Sequence, residues 1–301
     1  MKGNSSESVG SVAYAEVLWE SYGTDESINK GSLVSGARYE KGQIYFKTAD
    51  SYREGNAVIA AKDLSDNILW SWHIWLTDEP QEQVYPNDAC VMLDRDLGAT
   101  SATPGDVGVL GLLYQWGRKD PFLSGSSIYA RSSVAKSTIV WPLDILIDGS
   151  SGNIEYATKH PTTFMMPNEN NWDWYYTSNS NVDDTRWHSI KTIYDPCPAG
   201  WKVPEGGENG VWNKADFAKS SSGNSGWYIT LSVSESAFYP SSGYRDIDGR
   251  LYEVGVQGKW WSSTVINYGM MSCMTGYGNN SLSPLSTYEP YHAIAIRCAK
   301  E

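Results

Sequence analysis

The sequence predicts a β-rich protein, and three observations carry that expectation. The aromatic residues are skewed, with 14 Trp and 20 Tyr against 5 Phe. Rings with an apolar body and a polar tip suit sheet faces and contact surfaces better than a sealed core. Period-two alternation recurs in short segments, most clearly over residues 68 to 76, whereas two other segments show helical spacing. With 301 residues and 41% hydrophobic content, the chain is long enough to bury a substantial core.

In chain order, "VAYAEVLWE" (12–20) reads as a strand with Ala13, Ala15, Val17 and Trp19 on one face. "GQIYFKTAD" repeats the pattern weakly. "NAVIAAKDLSDNILWSWHIWLTD" reads as two strands around a polar turn; Ile68, Trp70, Trp72, Ile74 and Leu76 share one face, and Ser71, His73 and Trp75 the other. The Pro-containing "TDEPQEQVYPND" marks a change to short apolar segments between Ser-, Gly- and Asn-rich loops. This divides a β-rich segment 1–80, sandwich-like or an added sheet, from a second region, 81–301. "VLGLLYQWGRKDPF" predicts a helix from Val109, Leu112, Leu113 and Trp116, ended by Asp120-Pro121. "WNKADFAKS" predicts a short second helix capped by Asn213, with Asp216 three residues on. "GKWWSSTV" and "YHAIAIRCAK" read as closing strands, the latter with Ile294, Ile296 and Cys298 on one face.

A formal charge of −12 and a pI near 4.8 argue against nucleic acid as a partner. No apolar run approaches the roughly 20 residues that span a bilayer, and "MKGNSSESVG" lacks the apolar centre of a signal peptide. Either the chain is cytosolic, or it is an exported protein whose leader has been removed and whose polar start serves as a tether.

Four cysteines, at 90, 197, 273 and 298, allow three complete pairings, and spacing does not choose among them. The absence of CxxC removes zinc-ribbon and thioredoxin-type readings. Cys197 sits between two prolines in "YDPCPAGWKVP" and Cys298 on the last strand, positions that a compact domain could bring together.

"YDPCPAGWKVP", the short helix after it, "GYRDIDGRLYEVGVQGKWWSST" and the terminal "AIAIRCAK" resemble the Fibrobacter succinogenes major paralogous domain, a relative of the C-type lectin-like and formylglycine-generating folds. "NILWSWHIWLTD" and "VMLDRDLGATSATPGDVGVLGLLYQWGRKDPF" are similar to fimbrillin-like surface lipoproteins of gut Bacteroidales. The resemblance covers roughly residues 56 to 301; Leu93 is an extra residue, and Asp96 stands where the family often has Asn. It implies an α+β, C-type lectin-like domain over 81–301 with two helices, a twisted antiparallel sheet and long loops. It also implies an exported, outer-membrane-anchored surface protein that does not span the membrane, and a Cys197–Cys298 disulfide stiffened by Pro196 and Pro198. Cys90 and Cys273 could form a second bridge or stay free.

GxGxxG, the Walker motif, HExxH and GxSxG are absent, and His73, His160, His188 and His292 are isolated in sequence. The flank of Cys273, "NYGMMSCMTGYG", offers no Lys, Arg or His to lower a thiol pKa. Asp246 with Asp248, or Asp183 with Asp184, are too sparse for calcium, and the lectin Glu-Pro-Asn and Trp-Asn-Asp signatures are missing. No cofactor and no metal is expected. "DIDG" reads equally as a hairpin turn, with Gly249 at positive φ.

Three functions remain: a non-enzymatic adhesin-like or fimbria-associated surface protein, whose partners would be a surface glycan or protein ligand or fimbrial subunits; a metal-independent glycan-binding protein; and a formylglycine-generating-type enzyme. Two segments supply candidate ligand contacts. Tyr244, Arg245, Asp246 and Asp248 place a ring, a guanidinium and two carboxylates within five residues, as a ligand surface or a salt-bridged hairpin. In "NENNWDWYYTSN", an extended backbone would put Trp172, Trp174 and Tyr176 on one face as an aromatic platform. Asn168, Asn170, Asn171 and Asp173 would then supply hydrogen bonds, unless those rings pack inward.

Overall fold

The structure, a computed structural model, describes all residues except 4, 143–151, 168–171, 176–185, 218–219 and 268. Its first part is built on β1 (Tyr14–Ser21), β2 (Val34–Glu40), β3 (Gln43–Thr48), β4 (Gly55–Lys62) and β5 (Ile68–Leu76). β4 lies at the centre of the antiparallel sheet β1-β4-β5, and β2 and β3 form a separate hairpin. Ala15, Val17, Val34, Ile59 and Leu33 form a core with Ala37, Ile44, Ile74 and Leu76, so the hairpin lies over one face of the sheet. The buried Glu20 carboxylate fixes the start of β2 by accepting from the N–H groups of Gly31, Leu33 and Val34 at 2.5 to 2.7 Å.

The opposite face of this sheet meets the rest of the chain. The expected alternation in β5 holds: Ser71 donates to Asp120 (2.5 Å), His73 contacts Tyr114 and Trp75 donates to the Ala99 carbonyl (2.9 Å). β1 departs from it at one point. A bulge at Leu18 shifts the register between Val17 and Trp19, so Trp19 joins Val58, Leu97 and Trp261 in a different core from Ala15 and Val17. An inserted residue reverses the facing of every side chain beyond it.

Beyond residue 80 most strands are short, and they pair antiparallel. Glu82–Val84, Val91–Leu93, Trp201–Lys202 and Ala299–Lys300 make one sheet; Leu112–Gln115, Phe122–Leu123, Tyr244–Arg245, Leu251–Tyr252 and Ala293–Ile294 make a second. Ser221–Ser222, Gly226–Thr230 and Ser236–Pro240 make a third, and Gln257–Asn267, Met270–Tyr277 and Ser283–Tyr288 a fourth.

This architecture corrects the expected fold class. The described residues contain only two α-helices, α1 (Ile154–Lys159) and α2 (Val211–Lys214), of 6 and 4 residues, so the molecule is mostly β rather than an α+β C-type lectin-like fold. Residues 109–116 are not a helix. A 3₁₀ turn, Val107–Leu110, stops at Gly111, and Leu112–Gln115 is a strand with all four residues buried. Gly111 has φ 63°, and a Cβ there would lie 2.9 Å from the Leu97 carbonyl oxygen. A strand covered on both faces has no polar side, so its apolar run mimicked helical spacing. α2 begins at Val211 with Gly210 as N-cap. Asn213 lies inside it, donating to the Glu208 carbonyl, and Asp216 has φ 59°, outside the helix. The terminal segment is strand only at Ala293–Ile294 and Ala299–Lys300, although Ile294, Ile296 and Cys298 do share one core.

The Cys197–Cys298 disulfide is present, with 5.9 Å between Cα atoms, whereas Cys90 and Cys273 are free. Closing a loop across 101 residues stabilises by on the order of 4 kcal/mol in the chain-entropy model. Beside it, Arg297 donates to the buried Asp96 carboxylate (2.9 and 3.0 Å) and to the Phe238 carbonyl (2.7 Å), while Trp260 Nε1 donates to the same carboxylate (2.9 Å). Burial alone would lower the Arg297 pKa, but Asp96 raises it above the ordinary value.

Asp96→Asn is expected to destabilise the protein by about 3–5 kcal/mol in chemical denaturation, because it strands a buried guanidinium. Combined with Arg297→Met, the loss should be smaller than the sum of the single losses. Strict additivity would show that the two side chains are not coupled.

Candidate functional site

The two segments singled out in the sequence meet through a third. The hairpin Tyr244–Arg245 and Leu251–Tyr252 pairs Tyr244 with Tyr252, and its turn is closed by Gly249 at φ 70°. Arg245 pairs with Ala293, which brings the hairpin alongside Tyr288-Glu289-Pro290-Tyr291-His292. Trp172 approaches the same stretch from the other side.

The result is a run of ring contacts. Trp172 lies 6.3 Å from Tyr291, and the His292 imidazole is held between Tyr291 (4.0 Å) and Tyr288 (3.9 Å). Tyr244 is 5.9 Å from His292 and 6.1 Å from Tyr252. Trp172 and Tyr252 are exposed at the two ends, Tyr244 and Tyr288 are half-buried, and Tyr291 is buried. Three carboxylates stand beside the rings. His292 Nε2 is 3.2 Å from Asp246, Glu289 lies 3.6 Å from Nδ1, and Asp248 accepts from the Tyr252 hydroxyl (2.8 Å). All three remain partly open to solvent. The hydrogen bond with His292 holds the Asp246 carboxyl below its ordinary range.

Beneath the rings lies Lys259, 3% exposed, on strand Gln257–Asn267. Its ammonium nitrogen sits 3.4 Å from the centre of the Tyr244 ring and 3.7 Å from that of Tyr288, and donates to the Tyr288 hydroxyl. Burial lowers its pKa to about 7 despite the nearby acidic groups. Burial also pushes the free Cys273 thiol up to about 12. Proximity in sequence had offered no cation to Cys273; the fold brings Lys259 near it.

The sequence-derived candidates therefore separate. Trp172, Tyr244, Asp246 and Asp248 are on the ledge. Three others are corrected or fall elsewhere. Trp172 takes φ 53°, so the segment is not extended, and Trp174 turns inward, 1% exposed, donating to the Trp116 carbonyl (2.8 Å). Asp173 is buried in an ion pair with Arg186. Arg245 is buried, bonded to the carbonyls of Leu123 and Gly249 instead of facing the ledge. The hairpin does carry an ion pair, between Arg250 and Asp248 (3.7 Å) rather than through Arg245. Tyr176, Asn168, Asn170, Asn171, Asp183 and Asp184 lie outside the described residues.

Tyr252, Lys259, Tyr288, Glu289, Tyr291 and His292 were not anticipated. "STYEPYH" (286–292) carries the same signal that drew attention to "NENNWDWYYTSN", aromatic rings interleaved with polar groups. Among the described residues no group of three or more His, Cys, Asp or Glu could hold a metal ion. Comparison of the chain with protein-family models, curated proteins and solved structures finds no match in any of the three.

Two outcomes test this geometry. Trp172→Ala should change stability by about 0.5 kcal/mol or less, whereas Trp174→Ala should cost about 3 kcal/mol or more in equilibrium denaturation. For Lys259, the folded pKa of about 7 lies below the ordinary 10.5, so between these values the unfolded state binds the extra proton and stability rises with pH. The stability of wild type relative to Lys259→Met should therefore climb as pH is raised from about 7 towards 10. A difference that stays flat over that window would show that the lysine is not desolvated.

Proposed function

We propose that the protein is a non-enzymatic, metal-independent glycan-binding protein that acts outside the cell. The observation that carries the reading is the continuous run of rings from Trp172 to Tyr252 with Asp246, Asp248 and Glu289 beside it. The C–H faces of sugar rings stack on aromatic surfaces, and carboxylates accept hydrogen bonds from hydroxyls. Lys259 and His292 are held by the rings and carboxylates around them, which pre-sets the ledge and limits the ordering cost on binding. The Cys273 thiol, buried and pushed up to about 12, has the opposite character to a reactive nucleophile.

The disulfide is consistent with an extracellular protein, since such bonds persist in oxidising compartments. No helix among the described residues is long and apolar enough to cross a membrane. The similarity of "NILWSWHIWLTD" and "VMLDRDLGATSATPGDVGVLGLLYQWGRKDPF" to fimbrillin-like surface lipoproteins supports attachment to the cell surface, and glycan capture there is an adhesin-like role.

An array of neutral glycans, run with and without EDTA, tests the proposal. Binding should persist in EDTA and fall at least tenfold, about 1.4 kcal/mol, in Trp172→Ala and Tyr252→Ala proteins whose melting temperatures match wild type. Binding only to pilus or matrix proteins, with no glycan retained, would replace this reading by one of a protein ligand.

A further inference from the structure

Strand alternation gives the hairpin 244–252 two different faces. Tyr244 and Tyr252 pair on the side of the ledge; the adjacent pair, Arg245 and Leu251, points the other way. On that second side is a cavity of about 640 Å³, a size suited to a small ligand. Trp141 and Leu251 give it apolar walls, Ser27 and Ser137 contribute hydroxyls, and Lys136, Arg245 and Arg250 contribute positive charge. Among the described residues no carboxylate lines it. In a protein of net charge −12 this local excess of cations is a marked departure from the average surface.

Arg245 is the decisive residue. Its guanidinium is buried, yet its partners among the described residues are neutral: Nε and Nη2 donate to the Leu123 carbonyl (3.0 and 2.6 Å), and Nη1 to that of Gly249 (2.7 Å). A guanidinium has five N–H donors, so one N–H remains on each terminal nitrogen. Burial lowers its pKa to about 10, which leaves it charged at neutral pH, and no acidic group offsets that shift. A buried cation without a counter-charge is unfavourable, and an anionic ligand in the adjoining cavity would relieve it. The Lys136 ammonium donates to Ser27 (3.3 Å) and forms no ion pair among the described residues. Arg250 is mostly exposed, 3.7 Å from Asp248.

We propose that this cavity is a binding site for a carboxylate-bearing sugar, with Arg245, Lys136 and Arg250 facing the carboxylate and Trp141 and Leu251 against the ring. Adjacent N–H donors on a guanidinium match the two oxygens of a carboxylate. The apolar walls and serine hydroxyls suit the remainder of a saccharide better than they suit a bare inorganic anion. The site goes beyond the aromatic ledge and does not depend on it.

Titration of the full chain with D-glucuronate, D-glucose and inorganic sulfate, followed by saturation-transfer NMR, tests the assignment. D-Glucuronate should bind saturably and at least tenfold more tightly than either control. Lys136→Glu and Leu251→Trp should each weaken it at least tenfold, while Trp172→Ala leaves it unchanged. Lys136 is exposed, so its variant keeps the fold and decides the matter if Leu251→Trp lowers the melting temperature. No saturable binding of D-glucuronate, equal binding of D-glucose or sulfate, or an unaltered affinity in Lys136→Glu would overturn the proposal. Neutral-glycan binding lost in Trp172→Ala but retained in Lys136→Glu would separate the ledge from this cavity.

Discussion

The rest of the structure depends on one buried ion pair, between Asp96 and Arg297. Both charges are removed from water, so each depends on its partner, although Arg297 Nη1 has no hydrogen-bond partner among the described residues. The Trp260 indole satisfies the carboxylate, the Phe238 carbonyl takes a guanidinium N–H, and the Tyr239 ring covers the guanidinium at 3.8 Å. Three distant parts of the chain, around Asp96, Phe238-Tyr239 and Trp260, are thereby fixed to the terminal segment. The next residue, Cys298, is tied to Cys197. An amide in place of the Asp96 carboxylate would leave Arg297 without a compensating charge.

The ledge inherits its rigidity from that arrangement. Tyr288, Tyr291 and His292 immediately precede the anchored segment, and Lys259 immediately precedes Trp260, whose indole touches Asp96. Trp260 also bridges to Ala295 in a parallel contact, which joins the strand beneath the rings to the segment displaying them. Burial of Lys259 is costly for an ammonium group, and its pKa near 7 expresses that cost. Two tyrosine faces and the Tyr288 hydroxyl offset part of it. The lysine thereby fixes the spacing of the two rings above it.

The short hairpin 244–252 then divides two kinds of chemistry. Its alternation sends Tyr244 and Tyr252 towards carboxylates and other rings, and Arg245 and Leu251 towards a cationic cavity. A shift of one residue in that register would exchange the two faces. The backbone pairing of Arg245 with Ala293 and the carbonyls that hold its guanidinium secure the register.

Local chemistry alone determined several features. The alternation in β1 up to Val17 and in β5, the turn at Gly249 and the common facing of Ile294, Ile296 and Cys298 follow from side-chain period and turn preference. The composition also pointed to strands and exposed aromatic groups. Tertiary structure decided what local pattern could not. Leu112–Gln115 is covered on both faces, which erases the period that distinguishes strand from helix. The bulge at Leu18 sends Trp19 into another core. The positive φ of Trp172 separates it from Trp174, leaving one ring at the surface and burying the other. Tyr288, Tyr291, His292 and Lys259 join Tyr244 only through strand pairings that link distant parts of the chain, and the Cys197–Cys298 bond spans 101 residues. Period and propensity are properties of neighbours along the chain, whereas the ledge is made by residues that become neighbours only when the sheets close around Arg297.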